Sequence, residues 1–199
     1  MQLGRSSTIK KIFKSSNYNG TSREDDWAIV RLSESLGLEY GYVEVLKTSA
    51  VEILAMPKKF FAAHYSDSFE KGLKLSLQHG CFFTGHKSEL NYVLHNCDSS
   101  RGSSGSSIFY LENQARPETA KVIAVHVGEY RNGGDKSLLS IDYSDSVANI
   151  ALPSNTFMEG LTTALNEEQD WIWTFEAEGF KGTHQCVAPT DICNRVIID

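Results

Sequence analysis

The residues able to do chemistry gather in Cys97-Asp98-Ser99-Ser100-Arg101-Gly102-Ser103-Ser104-Gly105-Ser106-Ser107-Ile108-Phe109. Composition alone reads this stretch equally as a flexible linker, which Gly/Ser-rich segments usually are. Three features speak for a nucleophile loop. A cysteine opens it, glycines stand either side of Ser103-Ser104 in the pattern Gly-x-Ser-Gly-Ser, and an apolar strand-like run, Ile108 to Leu111, follows at once. Serine nucleophiles need that design, because glycines let the backbone turn tightly while the hydroxyl projects and nearby N–H groups converge on a developing oxyanion. A second candidate is Asp26, heading the run Trp27-Ala28-Ile29-Val30-Arg31-Leu32. Paired acids such as Asp25 and Asp26 are commonly a solvated strand end. An aspartate directly before a buried strand is also where an orienting carboxylate would sit half-buried.

The elements that must position these groups read as mostly β. Residues 5–13 predict a short strand, and a polar loop with Asn-Tyr-Asn-Gly turn chemistry follows. Asp26–Leu32 is a further strand, Gly37–Val45 a turn and strand, and Pro57 marks a crossing between two halves. Short strands then recur at turn-marked intervals: Phe60–Tyr65, Leu73–Thr84, Leu90–Leu94, Ser107–Leu111, Val122–Gly128 and Ser137–Tyr143. That spacing predicts a sandwich or barrel rather than parallel α/β units. Helical periodicity is confined to the chain after Ser144, where Phe157, Leu161 and Leu165 predict a helix over 154–166, capped by Ser154 or Asn155. Residues 167–199 differ in character and read as a tail of unassigned role.

With 199 residues the chain suits one domain or slightly more, and its net charge of −6 argues against a nucleic-acid partner. No apolar run approaches membrane-spanning length, and residues 1–25 do not read as a signal peptide. Four cysteines, Cys81, Cys97, Cys186 and Cys193, suggest two local disulfides and an oxidising compartment, with free thiols as the alternative. Pairing Cys81 with Cys97 would contribute roughly 3 kcal/mol by the chain-entropy argument. Nothing in the spacing supports a metal site.

Three segments line up, in order, with chymotrypsin-fold (trypsin-like) serine peptidases. Asp26–Leu32 resembles their Asp-x-Ala-Leu-x-x-Leu segment. Cys97–Ser106 resembles the nucleophile loop of the glutamyl-endopeptidase-like bacterial branch. Val122-Ile123-Ala124-Val125-His126-Val127-Gly128 is similar to the strand that walls the specificity pocket. Asp26 and Ser104 stand 78 positions apart, also of the family's size. The resemblance covers roughly residues 5–165. It implies a double β-barrel with an incomplete N-terminal barrel over residues 1–56, then an intact C-terminal barrel plus helix over 57–166. It further implies Ser104 as acyl-forming nucleophile, the N–H groups of Gly102 and Ser104 as oxyanion hole, and Asp26 as the carboxylate orienting an imidazole. Ser99, His126, Val127 and Gly128 would form a substrate pocket suited to a side-chain carboxylate. The alternative for His126 is a satisfied histidine in a barrel strand.

Two departures matter. Ser103 stands where trypsin has an aspartate before the nucleophile, so activation by a buried new N-terminus is not implied. The family's histidine lies well upstream of the aspartate, and none of the 25 residues before Asp26 is a histidine. His64, in Phe61-Ala62-Ala63-His64-Tyr65, imitates that motif but follows the aspartate and reads as a strand residue. His95 reads as architectural, and His79, His86 and His184 take no catalytic part. A serine hydroxyl without an adjacent base is a poor nucleophile, and loss of the triad histidine costs on the order of 10⁶ in turnover. The expectation is therefore a secreted or periplasmic serine protease, a hydrolase active in proteolysis, here weakly active or inactive. It would take a polypeptide substrate, no nucleic acid, no membrane and no cofactor. The alternatives are a non-catalytic protease-like interaction module and an unrelated β-domain with a Gly/Ser linker.

Overall fold

A computed structural model describes residues 6–20, 23–57, 60–87, 91–113, 116–131, 147–167 and 195–196. The protein is β-rich. Strands β1 (Ile9–Lys14) and β2 (Ala28–Leu32) form an antiparallel ribbon. Helix α1 (Leu36–Tyr40), strand β3 (Val43–Val45) and helix α2 (Ala50–Ala55) lead into the main sheet. That sheet contains β4 (Phe60–His64), β5 (Ser76–Cys81), β6 (Phe83–Lys87), β7 (Tyr92–His95), β8 (Ser107–Leu111), β9 (Ala120–Arg131) and β10 (Val147–Pro153). Helix α3 (Met158–Asn166) follows, and β11 (Arg195–Val196) adds to β3.

The strand order is β5-β4-β8-β9-β10-β7-β6, with β3 joining β9 in parallel. Its two edge strands, β5 and β6, are consecutive in the chain and joined through the single residue Phe82. The sheet must therefore curl until its edges approach, although no ladder closes it into a barrel among the described residues. Phe60 of β4 and Phe83 of β6 meet edge to face at 4.9 Å across that seam. Enclosed by the curl are Phe60, Ala62, Phe83, Val93, Ile108, Ile123 and Ala151, with Ile53 of α2 packed among them. The outer face carries Val45, Phe109, Val122, Phe157 at the head of α3 and the α3 residues Met158 and Leu161, onto which Trp27 and Ile29 lean.

Several expectations change. The single strand over Leu73–Thr84 is interrupted at Phe82, whose N–H donates to Asn96 Oδ1 at 2.7 Å instead of to a ladder. Helical character does not begin at Ser144. Val147–Pro153 is a strand between β9 and β7, and Ala148 to Leu152 are buried throughout, so no alternation marks it in sequence. Residues 36–40 are helical, leaving only three residues of strand before Thr48. Helix α2 was not expected, yet its Ser49/Glu52 capping box is legible in sequence. Ser154 does not cap α3. Its buried hydroxyl accepts from Thr48 N–H at 2.8 Å and donates to the Leu46 carbonyl at 2.5 Å. The strand expected at Ser137–Tyr143 and most of the tail lie outside the described residues.

Candidate active site

The loop after β7 is tied down at its start. Cys97 forms a disulfide with Cys81, the last residue of β5, over a Cα separation of 4.8 Å. Its N–H donates to His95 Nδ1 at 3.2 Å, and its carbonyl accepts from Asn149 Nδ2 at 2.7 Å. Asp98 N–H donates to Gln78 Oε1 at 2.5 Å. The segment leaving β4 then supports the loop from below: Asp67 N–H donates to the Arg101 carbonyl at 2.8 Å, and Ser68 and Ser100 share a hydroxyl bond of 2.7 Å. At the far end Gly105 N–H donates to the His126 carbonyl, and His126 N–H to the Ser106 carbonyl, at 2.8 and 2.9 Å.

Gly102 adopts φ +95°, and a Cβ there would press on the Tyr65 carbonyl and Asp67 Oδ1 at 3.3 Å, so glycine is required twice over. Between these anchors the N–H groups of Gly102 and Ser104 meet no acceptor among the described residues. Adjacent serines have opposite fates. Ser104 is exposed, and its hydroxyl has no hydrogen-bond partner among the described residues. Ser103 is buried, accepts from Ser100 N–H at 3.2 Å, and lies 3.0 Å from His64 Nδ1.

Ser104 and Gly105 line a cleft of about 840 Å³ that also holds Asp26, Trp27, His126 and Val127. It runs between the β1–β2 ribbon and the face of the main sheet. Asp26 is exposed, not half-buried as expected: it stands just ahead of β2 in a two-stranded ribbon that no further strand flanks among the described residues. The half-buried acid is Asp25, which accepts from Ser15 Oγ at 2.6 Å. Ser99 and Gly128 are half-buried and do not line the cleft. Cys186, Cys193 and His184 lie outside the described residues.

His126 sits in β9 and is 4% exposed. Its Nδ1 lies 3.1 Å from His95 Nε2. Because His95 Nδ1 accepts the Cys97 N–H, its proton is on Nε2 and donates to His126. His126 is then left with Nε2–H as a donor that meets no acceptor among the described residues. Burial and the neighbouring His64 push the His126 pKa down to about 4, with Glu129 opposing. Burial, with His126 adding to it, holds His95 well below the usual histidine range. Both rings are neutral at pH 7. No group of side chains among the described residues is arranged to hold a metal ion.

His64 lies in β4, the strand residue that the sequence predicts, but its hydrogen-bond partner is not readable there. The strand pattern Phe60, Ala62, His64 places it on the buried face of β4, and a buried imidazole must find a polar partner. Which partner it finds is set by the loop that folds over it. Family models, curated proteins and solved structures offer no match to this chain.

Proposed function

We propose that the chain is a serine-type endopeptidase, secreted or periplasmic, that hydrolyses peptide bonds through an acyl-enzyme. The observation that carries this reading is the unbonded N–H pair of Gly102 and Ser104 beside an exposed serine, on the wall of a cleft that also holds Asp26. Ser104 Oγ attacks the carbonyl carbon, and the resulting oxyanion takes hydrogen bonds from the two N–H groups. Collapse expels the amine, and water then cleaves the ester. Preorganised donors of this kind sustain roughly 10³ to 10⁴ over the uncatalysed reaction even where the triad is broken. With no imidazole at Ser104 among the described residues, its proton passes to water, which returns one to the leaving amine, and Asp26 would orient an imidazole base where one is supplied. His126, whose Nε2–H meets no acceptor among the described residues, suits a substrate carboxylate, so cleavage after Glu or Asp is the preferred specificity.

In architecture, the curled sheet corresponds to the C-terminal barrel of a chymotrypsin-like pair, and the ribbon to part of the N-terminal one. The disulfide fits an oxidising compartment, and no described helix is long and apolar enough to cross a membrane. One observation favours a second reading, a non-catalytic peptide-binding module: Ser104 Oγ meets no imidazole among the described residues.

A fluorophosphonate probe separates the two. Weak labelling that vanishes in Ser104→Ala, and that rises saturably with added imidazole, supports the peptidase. Labelling equal in both proteins, with or without imidazole, leaves the binding module. A peptide panel cleaved after basic or aromatic residues would remove the acidic preference.

A further inference from the structure

Three buried imidazoles run inward from the nucleophile loop: His64 beneath Ser103, then His126, then His95 bonded to it. The outermost bears on the loop directly. Ser103 Oγ already accepts from Ser100 N–H, so its own proton is free to donate to His64 Nδ1. Together with the Ser103 N–H, which donates to the Ser100 carbonyl at 3.0 Å, this hydroxyl closes the turn on which the N–H groups of Gly102 and Ser104 are displayed. His64 Nε2 is buried and has no hydrogen-bond partner among the described residues. We propose that His64 is a positioning residue for the loop that carries Ser104: neutral, it accepts the Ser103 hydroxyl and holds the Gly102 and Ser104 N–H groups in place; protonated, it releases them.

Protonation puts a hydrogen on Nδ1, which can then no longer accept. The Ser103 hydroxyl proton is left in a buried site without an acceptor, and such a loss is costly. The new charge also finds little support. From the loop Asp98 faces His64 and favours charging through both its carboxylate and its backbone carbonyl, while His126 on β9 stays neutral and is itself held so by a charged His64. Asp67, beyond the end of its own strand, lies 4.0 Å from Arg101. Burial outweighs these and lowers the His64 pKa. The release therefore falls below pH 6.5, the ordinary histidine value.

The inference rests on the peptidase reading only for its consequence, so its test reads the loop itself. Amide shifts of Gly102 and Ser104 are followed by NMR in the full chain, together with the His64 ring, from pH 8 to 4. The expected result is one shared midpoint below 6.5. In His64→Asn, whose amide oxygen can accept the Ser103 hydroxyl, the amides keep their neutral-pH positions and lose the inflection. In Ser103→Ala the ring still titrates, but the amides no longer follow. Amides that stay still while the wild-type ring titrates, or that keep the inflection in His64→Asn, overturn the proposal. Ser104-dependent fluorophosphonate labelling should fall with the same midpoint in the wild type and not in His64→Asn. Amides that titrate without labelling at any pH would retain the lock and remove the peptidase. Labelling with pH-invariant amides would do the reverse.

Discussion

The two walls of the cleft are built in opposite ways. Ser104 projects from a loop fixed by a disulfide, by hydrogen bonds to five strands, and by a core that closes beneath it. Asp26 stands at the head of a two-stranded ribbon whose Ile9, Ile12 and Val30 are exposed. The ribbon is held by the packing of Trp27 and Ile29 on α3, by a 2.5 Å Lys11–Glu167 ion pair, and by a hydrogen bond from Arg31 to the Ala164 carbonyl. One wall is cross-linked through the interior; the other is leaned against the surface. A hydroxyl and two N–H groups need fixed geometry to meet a transition state, and the cross-linked wall supplies it. A lone ribbon leaves apolar surface and both of its strand edges in water, so the acidic wall is the weaker partner.

Acid should break the comparison from the strong side. His126 has a folded-state pKa of about 4 against an ordinary 6.5, so the unfolded chain binds more protons between these values. Stability is complete above pH 6.5 and falls as pH drops toward 4, by about 3 kcal/mol from this residue. Denaturant midpoints across that range check it, and His126→Gln should flatten the profile. Next comes the disulfide: Cys81→Ser with Cys97→Ser should cost about 3 kcal/mol. Amide exchange should quicken in 97–106 while the ribbon is left as it was.

The opposite test is Gly160→Ala. Gly160 lies on α3 under Trp27, and a Cβ there would overlap the indole ring. Trp27 must move off the helix, at a cost of about 1–3 kcal/mol. Exchange should quicken in β1 and β2 but not in β8, and tryptophan fluorescence should shift to the red. Exchange rising equally in both walls would mean that they are one cooperative unit. The smallest effect belongs to Lys11→Ala, below about 1 kcal/mol, because its ion pair is half in water.

Much of the strong wall was legible because its signals are local. Glycines either side of Ser103-Ser104, an apolar run after them and two cysteines 16 residues apart are readable in order, and the loop, β8 and the Cys81–Cys97 bond stand where those residues place them. Strand β10 was not legible, since burial on both faces erases the alternation that reveals a strand. The break at Phe82 was hidden because the residue that turns the chain, Asn96, comes from another strand's end. For the same reason His64 gave no sign of its part: its strand was plain, its partner was not.

The sequence by itself determined which residues could do chemistry here and that β-strands would carry them, because turn residues, β-branched runs and glycine act within a few positions of themselves. Only the tertiary structure decided that Ser103 is buried and Ser104 exposed, that Asp25 is sheltered and Asp26 is not, and that three histidines far apart in the chain share one interior. Exposure and protonation depend on what the rest of the chain packs against a group, and that is a property of the folded whole.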